Sequence, residues 1–324
     1  MPLPEILRNR LRLPVIGAPM FIVSNPALVI AQCKAGIVGA FPALSARPAE
    51  KLDEWLAEIV EELAAHDRHH PDRPAAPFAV NQIAHKTNTR LEADLETCAK
   101  YKVPIIITSL GARAEIFETI RGSGAFCLHD VINDAFARKA VERGADGLIA
   151  VAAGAGGHAG SLSPFALVRE IRRWFDGTLA LSGAIAHGAS VLAAQAAGAD
   201  LAYIGSAFIA TDEANAVEGY KRMVVDSAAD DVIYTDFFSG VRGNYLKPSI
   251  VAAGLDPENL AASDPSKMNF ASGGAKVWRD VWGCGQGIGT IQEIASAGDR
   301  VERLVQEYRE ARLRLADLVG RFAS

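Results

Sequence analysis

Cysteine is scarce in this chain, and its few copies are not arranged for a shared task. Cys33, Cys98, Cys127 and Cys284 lie far apart with no C-x-x-C spacing, which argues against a disulfide framework or a zinc site and leaves reduced thiols. Long apolar runs are also missing. No stretch reaches the roughly 18 to 20 residues of a membrane span, and the start, MPLPEILRNRLRLPVIGAPM, mixes Glu5 and several arginines into its apolar residues. The expectation is a soluble, cytoplasmic protein with no membrane partner. Basic charge is not in excess either: the formal net charge is -5, with both signs interspersed, so no stripe exists for a nucleic-acid backbone.

Several catalytic signatures are absent. The glycine clusters GAGGHAG and GCGQGIG lack the G-x-G-x-x-G spacing of a dinucleotide fold, and there is no G-x-x-x-x-G-K-[ST] phosphate loop. No Gly-x-Ser-x-Gly elbow occurs, which removes the α/β-hydrolase option.

What the chain does have is a regular alternation. Half of its 324 residues are apolar, enough for a large core. Short apolar runs bounded by turn residues predict eight strands, at 14–20, 37–43, 77–83, 103–109, 124–130, 147–153, 178–184 and 201–207. Between them, seven helix-like segments lie at 25–36, 48–67, 87–101, 112–122, 133–144, 163–175 and 188–198, several opening on Ser, Thr or Asn and closing on Gly. Continuous apolar strands alternating with helices indicate a parallel sheet buried on both faces. Eight such units predict an α/β fold, a (β/α)8 TIM barrel, with chemistry at the carboxyl ends of its strands.

After the eighth strand the alternation stops. Residues 212–275 predict a smaller, mostly helical cap domain over the barrel mouth, with 1–211 and 276–324 forming the barrel. The segment from Asp299 to Gly320 has a helical period with mixed charge and is expected to pack back on the barrel.

The glycine-rich strand ends are where chemistry is expected. Gly183 and Ala184 after the seventh strand, with Gly205 and Ser206 after the eighth, could present backbone amides and a hydroxyl to a phosphate, although glycines at these positions also suit tight βα turns. His158 stands alone among glycines and alanines that would let a flat ring lie close to the backbone. Residue types alone leave it either a pocket base or an incidental loop histidine. His129, beside Asp130 at the end of the fifth strand, is expected to point at the same pocket or to form a structural His–Asp pair. His66, His69 and His70 fall in AAHDRHHPDRP, read as a solvated loop rather than a metal site, and Cys284 reads as a packed thiol.

In order along the chain stand GAPM after strand one, VNQ at strand three, GAGGHAG after strand six, SGAI after seven, GSAF after eight, and WGCGQG near the carboxyl end. This combination resembles the nitronate monooxygenase family, formerly called 2-nitropropane dioxygenase, over nearly the whole chain. The resemblance implies an FMN-containing barrel that oxidises alkyl nitronates with O2 to a carbonyl compound and nitrite, and is compatible with a homodimer. It implies that Gly183, Ala184, Gly205 and Ser206 hold the FMN phosphate, with Tyr203 and Ile204 leading into that loop. By the same resemblance Ala18, Pro19 and Met20 line the isoalloxazine, Asn81 hydrogen-bonds it, Val151 and Gly156 approach from the sixth loop, and Gln286 comes from the WGCGQG segment. His158 matches the family histidine near the nitronate, where it can accept a proton or stabilise negative charge.

The chain departs from the family pattern in VNQ and in His129-Asp130, where some relatives carry a lysine near the flavin. An NAD(P)H-dependent FMN quinone or enoyl reductase on the same barrel is the alternative enzyme reading. A non-catalytic barrel binding a phosphorylated metabolite is the third.

Overall fold

A computed structural model of the chain describes residues 3–260 and 280–322. The eight expected strands form one parallel sheet: β1 (Val15–Gly17), β2 (Gly39–Pro42), β3 (Phe78–Ile83), β4 (Ile105–Ser109), β5 (Phe126–Val131), β6 (Gly147–Val151), β8 (Thr178–Ser182) and β9 (Leu201–Ile204). They run in the order β1-β9-β8-β6-β5-β4-β3-β2. Gly17 N–H donates to Val38 O at 2.7 Å and Val38 N–H to Val15 O at 3.1 Å, bringing the two edge strands together and closing the barrel.

Helices α1 (Pro26–Ala35), α2 (Lys51–His69), α3 (Leu91–Lys100), α4 (Ala114–Gly122), α5 (Asp134–Glu142), α6 (Pro164–Arg172) and α7 (Gly188–Ala197) fill the connections. Their starts follow from local chemistry. Asn25 Oδ1 accepts from Leu28 N–H at 2.8 Å ahead of Pro26, and Asn133 Oδ1 accepts from Phe136 N–H at 2.8 Å, satisfying amides that a helix end would leave orphaned.

The period of two along each strand divides the apolar residues into two cores. Ile16, Ala40, Ala79, Ile107, Leu128, Ile149, Ala180 and Leu201 fill the lumen, while Val15, Phe41, Val80, Ile106, Cys127, Leu148, Leu181 and Ala202 belong to the larger core shared with the helices. Leu7 closes the amino-terminal end of the lumen, fully buried, with Leu3, Ile6 and Leu11 around it. The long helix after the barrel, α11 (Ala297–Phe322), packs on α7 and α1 as expected.

The segment after β9 is mixed rather than mostly helical. The short α8 (Ser206–Ile209) and then α9 (Glu218–Asp226) and α10 (Lys247–Ala252) share it with a hairpin of β10 (Val232–Thr235) and β11 (Gly243–Leu246). The hairpin takes up a third strand, β7 (Gly157–His158), in the order β10-β11-β7. The strand VIYT is made entirely of β-branched and aromatic residues, and GNYL adds Tyr245 as its partner, which outweighs the glycines around them. The expected junction at 275/276 lies outside the described residues.

A candidate active site at the barrel mouth

Exposure rises along the lumen toward the carboxyl ends of the strands. Ile107, Leu128, Ile149 and Leu201 are fully buried, whereas Ala18, Asp130, Val151 and Tyr203, one step further up, are only half-buried. The barrel is therefore packed below and open above, as the chemistry of this fold requires. The floor of the opening is polar. Asn81 Nδ2 donates to Ser109 Oγ at 2.8 Å and to Ile107 O at 3.2 Å. The Asp130 carboxyl is hydrogen-bonded by the Ser109 hydroxyl and the Leu110 amide. Burial nevertheless raises Asp130 to about 6, because these two bonds only partly offset desolvation. Burial also pushes the Tyr203 phenol well up, with the Asp130 charge adding to it.

His129 does not point at this pocket. Strand alternation turns it outward, where its Nδ1 lies 2.7 Å from Thr108 Oγ1 and its ring meets Phe117 of α4 edge-on at 5.4 Å. It forms no pair with Asp130, and burial lowers it to about 4. The same alternation separates Tyr203, in the lumen, from Ile204, whose side chain lies in the helix-facing core and whose carbonyl accepts from Ala18 N–H at 2.8 Å.

The rim brings together residues far apart in sequence. A β-carbon built on Gly205 would stand 3.5 Å from both Ala18 Cβ and Met20 Sδ, so these three adjoin; Pro19, between the last two, is half-buried. Ser206 Oγ accepts from Gly285 N–H at 2.8 Å. Gly154 O accepts from Ala184 N–H at 3.1 Å and from Gln286 N–H at 2.9 Å, which takes up the Ala184 amide. Gly183 lies beneath the sixth loop: a β-carbon there would come 2.7 Å from Ala153 O. The glycines of the sixth loop also serve the protein itself. A β-carbon on Gly156 would meet Gly285 N at 2.8 Å, and one on Gly285 would meet Gly154 O at 2.6 Å, so the WGCGQG segment and the sixth loop lie backbone on backbone. Gly156 is exposed on its other side. Three non-glycine residues just beyond barrel strands adopt left-handed backbone, Ile22 (φ 69), Leu110 (φ 60) and Ala184 (φ 53). Strain of this kind concentrates at functional sites.

His158 lies on an ordered strand, not in a loose loop. Opposite it stands Gly243, and Asn244 faces Gly157; Ala159 N–H donates to Arg242 O at 3.2 Å and Asn244 Nδ2 to Ala155 O at 2.6 Å. Gly160 N–H returns to Val151 O at 3.2 Å, bringing the loop back to the end of β6. His158 Nε2 is 2.8 Å from Ser239 Oγ, which is itself 3.0 Å from Val241 O. Ser239 Oγ therefore stands between the imidazole and the Val241 carbonyl, tying the ring to the hairpin. Burial lowers His158 to about 4, keeping the ring neutral at physiological pH.

The remaining candidates stand apart. His66 and His69 continue α2 rather than forming a loop, and the described residues hold no cluster suited to a metal. Cys284 is buried and its thiol is pushed up by burial, in keeping with packing rather than attack. A cavity of about 410 Å3 lined by Glu5, Ile6, Arg8, Asn9, Arg10 and Pro77 lies at the amino-terminal end of the barrel, away from the mouth. Ser109, Asp130 as a lumen group, Ser239 and Asn244 were not singled out by sequence; the period of two along β4 and β5 could have found the first two.

Comparison with known proteins gives these features a context. Residues 6–307 match the nitronate monooxygenase family. The chain is 28% identical over 295 residues to a nitronate monooxygenase of Paraburkholderia phytofirmans, covering 76% of each. A solved nitroalkane oxidase from Streptomyces ansochromogenes superposes with a TM-score of 0.78 at 25% identity, covering 96% of this chain and 100% of that one. FabK of Thermotoga maritima shares the fold, with a TM-score of 0.77 at 22% identity and 97% of each chain covered. The chain belongs to the nitronate monooxygenase family and is an oxidoreductase.

Proposed function

We propose that this chain oxidises alkyl nitronates with O2, releasing a carbonyl compound and nitrite, and that FMN is its cofactor. The observation that carries the reading is His158, held neutral on an ordered strand at the mouth of a barrel whose family match runs from 6 to 307. The residues present fit a flavin. Ala18, Pro19, Met20 and Val151 offer a half-buried apolar wall beside the hydrogen-bonding floor of Asn81, Ser109 and Asp130, and Gly205 adjoins Ala18 and Met20 at the edge of that wall. Gly183, Gly205 and Ser206 would hold the phosphate end, the Ala184 amide being committed to Gly154 O, with Asn81 and Tyr203 at the ring and Gly156 and Gln286 closing from the sixth-loop side.

FMN, when bound, supplies the electron transfer between nitronate and O2 that no side chain here can perform. The chain's own contribution is placement and proton handling. With its ring kept neutral by burial and Nε2 hydrogen-bonded to Ser239, His158 acts as an acceptor of a proton rather than as a cation. The packed lower lumen excludes water from beneath the site. The test is an absorption spectrum of the purified protein followed by nitrite release from a panel of nitronates. Rapid anaerobic bleaching by NADH with no nitrite from any nitronate would replace this reading with a reductase, and a colourless protein that FMN cannot reconstitute would end it.

A further inference from the structure

We propose that Asp130 is a positioning residue for the cofactor, an acid in the floor of the mouth whose ionisation opposes negative charge on the ring above it and so makes cofactor reduction depend on pH. The inference rests on the FMN reading. Asp130 projects from β5 into the lumen at the level where the barrel opens, and three groups address it. The Ser109 hydroxyl and the Leu110 amide donate to it, and the Tyr203 phenol lies within reach of its charge. Ser109 in turn accepts from Asn81, so one row of hydrogen bonds crosses the floor from β3 to β5. The Leu110 amide comes from a residue in left-handed backbone. Such a conformation is disfavoured in a non-glycine residue, so the surroundings hold that turn in place.

Neither lysine nor arginine pairs with Asp130 among the described residues. Its neighbour His129 faces the helices. β6 contributes the apolar Val151 and Ile149, and His158 stays uncharged above about pH 4 because of its own burial. A carboxyl held in such surroundings is neutral at mildly acid pH and charged above, in line with its rise to about 6. A reduced flavin carries negative charge at neutral pH, so a floor that is neutral below this range and anionic above it favours reduction at low pH and disfavours it at high pH.

The test uses the flavin-loaded protein and compares wild type with Asp130→Asn between pH 5 and pH 8, reading the midpoint potential and the affinity for FMN rather than turnover. At pH 8 the variant should favour reduced over oxidised FMN at least tenfold more than wild type, which for a two-electron couple is about 30 mV. At pH 5 the two should coincide. Ser109→Ala keeps the carboxyl but removes a donor to its charged form, so the pH at which wild-type behaviour changes should move upward. In the cofactor-free protein, Asp130→Asn should abolish the part of the thermal stability that is lost between about pH 4 and pH 6. Equal potentials at pH 8, or a difference that persists unchanged to pH 5, overturn the proposal while leaving a flavoprotein. A wild-type chain that binds no FMN overturns the functional reading and this one with it.

Discussion

His129 and Asp130 are neighbours on one strand and face opposite sides of the barrel wall, the imidazole 2.7 Å from Thr108 Oγ1 on the helix side and the carboxyl beside Ser109 in the lumen. Each is pushed toward its uncharged form, His129 down to about 4 and Asp130 up to about 6. Their ordinary order is inverted, so around pH 5 both are neutral and no ion pair forms between them.

The inversion gives stability two opposing dependences on acid. A histidine lowered from 6.5 to about 4 stabilises the fold above pH 6.5, and that contribution is lost as pH falls toward 4, because only the unfolded chain takes up the proton. Asp130, raised from 3.8 to about 6, does the reverse: its contribution is full below pH 4 and is lost as pH rises through 6. Replacing His129 by Gln should flatten the acid-side fall by up to about 3 kcal/mol, on the scale of 1.36 kcal/mol per unit. Thermal melting from pH 4 to pH 8 reads this. An unchanged profile would mean that His129 titrates as it does in water.

His158→Ala should lower nitrite release from nitronates by roughly 10² or more while flavin absorbance stays, the range expected of a general base. Ser239→Ala removes the hydrogen-bond partner of His158 Nε2 and leaves the imidazole in place. A smaller loss, with a changed pH profile, is expected there. If both variants lose flavin, the pair supports the mouth rather than the reaction.

Gly285→Ala should destabilise the mouth. The added carbon would lie 2.6 Å from Gly154 O and 3.0 Å from Gly156 N, both backbone atoms that cannot swing aside. A cost of about 1–3 kcal/mol is expected for such overpacking, read as a lowered melting temperature. An unchanged melting temperature would show that the sixth loop and the WGCGQG segment are not in contact.

The four thiols should be silent in the folded protein. All are buried, and burial raises Cys33, Cys98 and Cys127 to about 12, which leaves almost no thiolate to react. Titration with a thiol reagent should detect fewer than one equivalent before denaturant and four after it. Rapid labelling of the native chain would contradict the packing of Cys284 against the sixth loop.

The barrel was legible because its signal is repeated: eight apolar runs of similar length, each followed by a capped amphipathic segment, admit few arrangements. Side-chain direction was harder, since it needs the register as well as the strand. Reading His129 as facing the pocket follows from counting residues to the strand end, and a shift of one position reverses the face. The hairpin escaped because VIYT and GNYL are four residues each and separated by glycines, too short to show a period of two. The two-residue β7 is strand only because β11 lies beside it. No local pattern in GAGGHAG announces a partner about 85 residues further on.

That partnership places control of the imidazole outside the barrel. Because β7 is laced by its main chain to β11, and β11 in turn to Trp282 and Gly283, the tilt of the His158 ring is inherited from the appended segment. Insertions or exchanges in the hairpin can therefore retune this one histidine with all eight staves untouched, a separation of scaffold from adjustment that lets reactivity diverge faster than architecture.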